Sequence, residues 1–237
     1  MSAIWVLTKK ELKSYFNSPV AYIVIILFLL ISGWIYTSSM FLSKTADLRQ
    51  LFGFISNYLF LFFIPALSMR LFSEEKRSGT IELLGTMPIS EWQMVLGKYI
   101  PAFLLMVLML ALTGINYITI SYLGNPDSGA TIGGYIGLIL MASSYLAIGL
   151  FTSSLSKNQI VSFILSFAII FAFVLFDYVK NFVGGFMANI FEYLSTSYHY
   201  QAIERGVLDS RNLIYYLSLT FVFLFATAQV LQSRKWK

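Results

Sequence analysis

The chain has 237 residues, 58% hydrophobic and 17% aromatic, and only 11% are charged, against roughly 25% in an average soluble domain. Such a composition cannot cover a water-facing surface. It excludes a soluble enzyme, a disordered segment and a nucleic-acid-binding domain, despite a net charge of +5 that would suggest an acidic partner in a soluble protein. Between the ionisable residues lie six charge-free stretches, Ser14–Ser43, Gln50–Met69, Tyr99–Pro126, Ser128–Ser156, Asn158–Phe176 and Asn212–Ser233, each matching the ~20 helical residues that cross a bilayer. The expected fold is therefore all-α and polytopic, with six transmembrane helices in one membrane domain covering residues 1–237.

Residues 3–16 form an amphipathic helix. At about 100° per residue, Ile4, Trp5, Leu12, Tyr15 and Phe16 share one face, while Lys9, Lys10 and Lys13 lie opposite, the pattern of a helix lying in the membrane interface. A frayed leader is the alternative. Asn17-Ser18-Pro19 ends it, because the residue before proline disfavours helix. The first span, 20–42, outlasts the h-region of a signal peptide and lacks a small-x-small cleavage site, so it is read as a retained helix. A short loop with Lys44, Asp47 and Arg49 precedes the second span, 51–72.

After it comes the polar segment SEEKRSGTIELLGTMPISEWQMVLGK, from Ser73 to Lys98. Gly79 and Pro88 bracket a short helix at 80–87. Ser90 and Gln93 have capping-box spacing, so the next helix starts at Ser90 and enters the third span, 94–123, with a kink expected at Pro101. Gly124-Asn125-Pro126-Asp127 is a turn signal. The fourth span, 132–153, carries Gly133, Gly134 and Gly137, a spacing that permits close helix approach. The fifth, 160–178, leads to a segment at 179–211 that is rich in aromatics (Phe182, Phe186, Phe191, Tyr193, Tyr198, Tyr200) and carries Glu192, His199, Glu204, Arg205, Asp209 and Arg211. Aromatics favour the membrane–water boundary, so interfacial or re-entrant helices are expected here. The last span is 212–232.

Six spans place both ends of the chain on one side. That side holds Lys9, Lys10, Lys13, Arg70, Lys76, Arg77, Lys98, Lys157, Arg234, Lys235 and Lys237, which is 11 of the 16 basic residues. The other holds Lys44, Arg49, Lys180, Arg205 and Arg211. Because Lys and Arg counts set orientation, both termini are expected to be cytoplasmic, and the positive balance is an attraction to membrane lipid rather than to nucleic acid.

Intramembrane charges usually mark ion or proton pathways, and the span interiors contain none, with Asp177 at the end of the fifth span; this argues against a proton-coupled transporter. Cysteine is absent and histidine occurs once, as His199, which excludes thiolate sites and a His-Glu-x-x-His protease. No metal site is expected. The Gly97-Lys98 pair lacks the rest of a phosphate-binding loop, Trp92 standing where its first glycine belongs, so the chain should not bind ATP itself and is not expected to be an enzyme.

The arrangement resembles the permease subunits of ABC-2 type ATP-binding cassette transporters over essentially the whole chain. Its most specific parts are Glu74-Glu75-Lys76-Arg77-Ser78-Gly79-Thr80-Ile81-Glu82 through Pro88-Ile89-Ser90, and Ser197-Tyr198-His199-Tyr200 through Arg205-Gly206-Val207-Leu208-Asp209-Ser210-Arg211. The latter looks like the subgroup of gliding-motility-associated and nitrous oxide reductase maturation permeases. The resemblance implies an exporter permease in a bacterial cytoplasmic membrane, paired with a second permease chain and driven by ABC ATPase subunits that hold the ATP and magnesium. It also implies a periplasmic accessory protein, or even a mechanical transmitter rather than a transporter. The family's coupling helix maps to 80–87, giving an ATPase-coupling loop of Glu74, Glu75, Lys76, Arg77, Gly79, Thr80, Ile81, Glu82, Leu83, Leu84, Met87 and Pro88. The interfacial helix is represented by Trp5, Lys9, Lys10 and Lys13, and the outer cap by Tyr198, His199, Tyr200, Arg205, Asp209 and Arg211. The family's pairing through spans one and five would give Ser32, Gly33, Ser162 and Ser166 roles at the interface between copies, with ordinary packing inside the chain as the equal alternative.

Overall fold

The computed structural model of the protein describes residues 3–43, 47–82, 88–124, 126–207 and 209–233. Its helices follow the apolar stretches. Helix α1 (Ala3–Asn17) is separated from α2 (Pro19–Ser43) by Ser18 alone. Pro19 occupies the first helical position, where its missing N–H is harmless. The second stretch is α3 (Arg49–Phe54), a π-helical turn (Ile55–Leu59), α4 (Phe60–Ser68) and α5 (Arg70–Ser78). Then come α6 (Glu91–Leu112), α7 (Gly114–Leu123), α8 (Ser128–Leu155) and α9 (Gln159–Val179). The short α10 (Phe186–Leu194) and α11 (Thr196–Glu204) precede α12 (Ser210–Gln232). No strand occurs among the described residues.

Six helical stretches are long and apolar enough to cross a membrane: Pro19–Leu42, Arg49–Ser78, Glu91–Leu123, Ser128–Leu155, Gln159–Val179 and Ser210–Gln232. The fold is thus the expected all-α polytopic one. The capping box is present: the Ser90 amide donates to Gln93 Oε1 (3.0 Å) and the Gln93 amide to Ser90 Oγ (3.2 Å). Asp127, Asn158 and Asp209 cap α8, α9 and α12 with side-chain oxygens.

Helix α8 is the centre of the bundle, packed against α4, α5, α6, α9, α11 and α12. Small residues let its neighbours approach. A methyl group on Gly149 would overlap Ser68 on α4, and Ser166 of α9 lies beside it. At the other end, Gly133 faces the Ile203 carbonyl and Gly137 the Tyr200 ring, so the glycine spacing receives α11. By contrast, α2, α9 and α12 keep most of their apolar surface outside the chain.

Three expectations change. Pro101 sits inside an unbroken α6, and the break falls at Thr113, whose hydroxyl donates to the Leu110 carbonyl (2.6 Å) just before Gly114. Neighbouring helices absorb a membrane proline, whereas a side-chain bond back into the helix followed by glycine weakens it locally. Second, the choice left open for the small residues narrows: Ser32, Ser162 and Ser166 are fully buried within the chain and so take the intramolecular alternative, while Gly33 alone of that set faces open space. Third, helical residues do not stop at Phe72: after a one-residue turn at Met69 they continue as α5 to Ser78.

Candidate functional site

No helix breaker occurs between Arg70 and Ser78, so α5 carries Glu74, Glu75, Lys76 and Arg77 as helical residues rather than as a loop. Glu74 and Arg77 are exposed, Glu75 is half-buried and Lys76 is buried. Gly79 ends α5 in the left-handed conformation (φ 74°), a cost of about 1 kcal/mol to a residue with a Cβ. The Ser78 and Thr80 hydroxyls, 2.9 Å apart, brace this turn. Helix resumes at 80–82, with Ile81 against the core and Glu82 exposed. Of the expected coupling helix, Leu83, Leu84 and Met87 lie outside the described residues; Pro88 is exposed.

At its other end α5 is separated from α4 by a single break at Met69. The amides of Phe72 and Ser73 donate to Ser153 Oγ on α8 (2.8 and 3.1 Å), and that hydroxyl donates to the Met69 carbonyl (3.2 Å). One serine therefore replaces the local ladder and ties α5 to the central helix.

Helix α1 lies against α6. The fit is tight enough that a Cβ on Gly97 would come within 2.7 Å of Leu7 Cβ. Beside it the buried Lys98 Nζ donates to Glu75 Oε1 (2.7 Å) and Glu11 Oε1 (3.0 Å) and lies 5.5 Å from the Phe72 ring centre. Three helices are joined by one ammonium. In the sequence Lys98 counts only toward the basic balance of one side of the membrane, and Glu11 is not singled out. Of the expected interfacial residues, Lys9, Lys10, Lys13 and Trp5 are all exposed. Tyr15 is buried with the Arg70 guanidinium 5.0 Å over its ring, and burial pushes its phenol up despite that charge.

The opposite end of the bundle is closed by α10 and α11. His199 is buried: Nε2 donates to the Tyr193 carbonyl (3.1 Å), Nδ1 meets the Asn212 side chain (2.7 Å), and the ring stacks on Tyr215 at 4.0 Å. Both ring nitrogens are engaged in packing contacts. Tyr198 touches this cluster, and Tyr200 lies against Gly137 with its hydroxyl unbonded. Arg205, Asp209 and Arg211 are exposed and stand apart from it; Asp209 caps α12. Asn57, in the π-helical turn, accepts from Ser197 Oγ (3.2 Å), a contact the sequence did not signal. Burial pushes the Glu204 carboxyl up to about 7, Arg49 pulling the other way.

No curated protein matches the chain. A match over residues 43–231, from the end of α2 to the last turn of α12, is found to the model of the ABC-2 family transporter proteins, and the chain belongs to that family, as an integral membrane permease subunit of an ABC transporter whose partner is an ABC ATPase subunit.

Proposed function

We propose that the chain is an exporter permease of a bacterial cytoplasmic membrane, of the gliding-motility or nitrous oxide reductase maturation type, with the α1 end in the cytoplasm. A separate ATPase docks on the exposed face formed by Glu74, Arg77, Thr80 and Glu82, backed by the half-buried Ile81, and it holds the ATP and magnesium; this chain contributes neither nucleotide site nor catalysis. The observation that carries the reading is the Lys98 junction. It fixes α5 to α1 and α6, while Ser153 fixes the same helix to α8, so a push on 80–82 reaches four helices at once. Two permease chains meet through α2 and α9, whose outer faces are apolar and unburied, around a path for an amphiphilic or apolar-bodied substrate. One membrane domain accounts for 1–237.

With the ATPase co-purified and reconstituted, Glu82→Lys and Ile81→Trp are expected to lower transport-coupled hydrolysis about tenfold, the scale of one lost charge-assisted contact. Unchanged coupling in both would remove the assignment of this surface.

The exposed apolar side chains on and before α10, Phe182, Phe186, Met187 and Tyr193, favour a second reading, in which the ATPase cycle moves a periplasmic accessory protein through the cap. Substrate flux in proteoliposomes containing the ATPase but no accessory protein argues for transport; hydrolysis without flux argues for transmission.

A further inference from the structure

Between α1, α5 and the start of α6 lies a cleft of about 480 Å³, whose walls include Lys10, Ser14, Tyr15, Arg70, Glu74 and Glu75. Its charges are of both signs and only partly matched. Lys98 takes Glu11 and one oxygen of Glu75; Glu75 Oε2 is buried without a hydrogen-bond partner. Arg70 stands over the Tyr15 ring with no ion pair to a described carboxylate. Lys10 and Glu74 are exposed at the cleft.

A buried carboxylate oxygen calls for an N–H donor, and Arg70 with Lys10 calls for an anion with several acceptors, such as a phosphate. The two demands lie in one cleft, so they select a ligand with both groups close together. A quaternary ammonium has no N–H to give Glu75 Oε2. A purely anionic headgroup would leave that oxygen facing negative charge. A phosphate diester next to a primary ammonium satisfies both. Phe16, Val20, Tyr22 and Ile23, exposed on the adjoining α1–α2 corner, supply apolar surface for chains attached to such a headgroup.

We propose that this cleft holds the headgroup of a phosphatidylethanolamine-type lipid, the phosphate on Arg70 and Lys10 and the ammonium on Glu75. The proposal rests on reading this end as the membrane surface, and not on the docking of the ATPase. The occupied cleft would set the spacing of α1 and α5 that the Lys98 junction reports.

The test uses the purified full chain in detergent, without ATPase. It is titrated with phosphatidylethanolamine, phosphatidylcholine and phosphatidylglycerol of identical acyl chains and read by native mass spectrometry. Phosphatidylethanolamine is expected to bind about tenfold more tightly than either, the equivalent of one charge-assisted hydrogen bond. Arg70→Gln and, independently, the cleft-filling Ser14→Trp at an exposed position should abolish that preference with an unchanged melting temperature. Equal affinity for the three lipids, or a preference that survives Ser14→Trp, overturns the proposal. Displacement by soluble glycerophosphoethanolamine at concentrations equal to the lipid would overturn the lipid as its source. Failure of ATPase coupling would leave this binding intact, and loss of lipid preference would leave the permease reading intact, so the two are separable.

Discussion

Lys98 is a lysine two turns inside an apolar helix, and it is tolerated because carboxylates from two other helices reach it. Removing only the cation leaves Glu11 and Glu75 half-buried and unpaired, which is worse than removing the whole set. Lys98→Met should therefore destabilise the purified chain by about 3 kcal/mol, seen as a lower melting temperature by circular dichroism. The triple change Lys98→Met, Glu11→Gln and Glu75→Gln should recover most of that loss. A single variant as stable as the parent would show that the pair contributes nothing. Part of this junction was legible in the sequence. At about 100° per residue Glu11 falls among Ile4, Leu7, Thr8 and Tyr15, the side of α1 that the structure packs inward. The apolar face read from the sequence grouped Trp5 and Phe16 with Ile4 and Tyr15, whereas those two flank the packed side and look outward. Which lysine would answer Glu11 was not legible, because Lys98 is far away in sequence and is indistinguishable from a flanking charge.

At the scale of elements, the starts of helices were the legible part. Pro19, Ser90 with Gln93, and the turn before Ser128 act on their immediate neighbours, so sequence alone locates them. The interruptions inside spans were not legible, since they arise from distant partners. Met69 is no breaker by residue type; α4 and α5 part there because Ser153 offers the Phe72 and Ser73 amides a better-placed acceptor. The same holds for the π-helical turn at Ile55–Leu59, where Asn57 meets Ser197 on α11. Ser153→Ala should strand two buried amides at a cost of about 1–2 kcal/mol. Hydrogen exchange at Phe72 and Ser73 should accelerate, while the α6 amides around Met106 keep their protection. Uniform acceleration throughout the bundle would mean that Ser153 supports packing generally rather than this junction.

For the whole molecule, the placement of apolar surface separates the inside of one chain from its meeting with another. The small serines of α2 and α9 serve the inside. The outward rows of α9, such as Ile164 and Phe171, stay exposed, and in the proposed function they are the surface that meets a second permease. Because the chain contains no cysteine, single cysteines report without background. Ile164→Cys should cross-link between copies in membranes, whereas Ser166→Cys, fully buried, should not. Cross-linking at Ser166 but not at Ile164 would restore the serine interface and reject the packing described here. The all-α class and six spans were readable from charge-free length, and the family from the resemblance carried by the segments at 74–90 and 197–211; the pairing surface was not, since a small residue looks alike whether it meets its own chain or a copy. The single-residue corner at Ser18 has a mechanical consequence of its own. The arms it joins, 15 and 25 residues long, measure about 22 and 37 Å at 1.5 Å per residue. The shorter arm is fastened at Lys98, while the longer arm has mostly lipid-accessible surface. If the corner holds its angle, rotating the short arm by about 5° swings the far end of the long arm by about 3 Å. A motion too small to disturb the packing at Gly97 would thus become, across the membrane, a displacement comparable to the radius of an α-helix backbone.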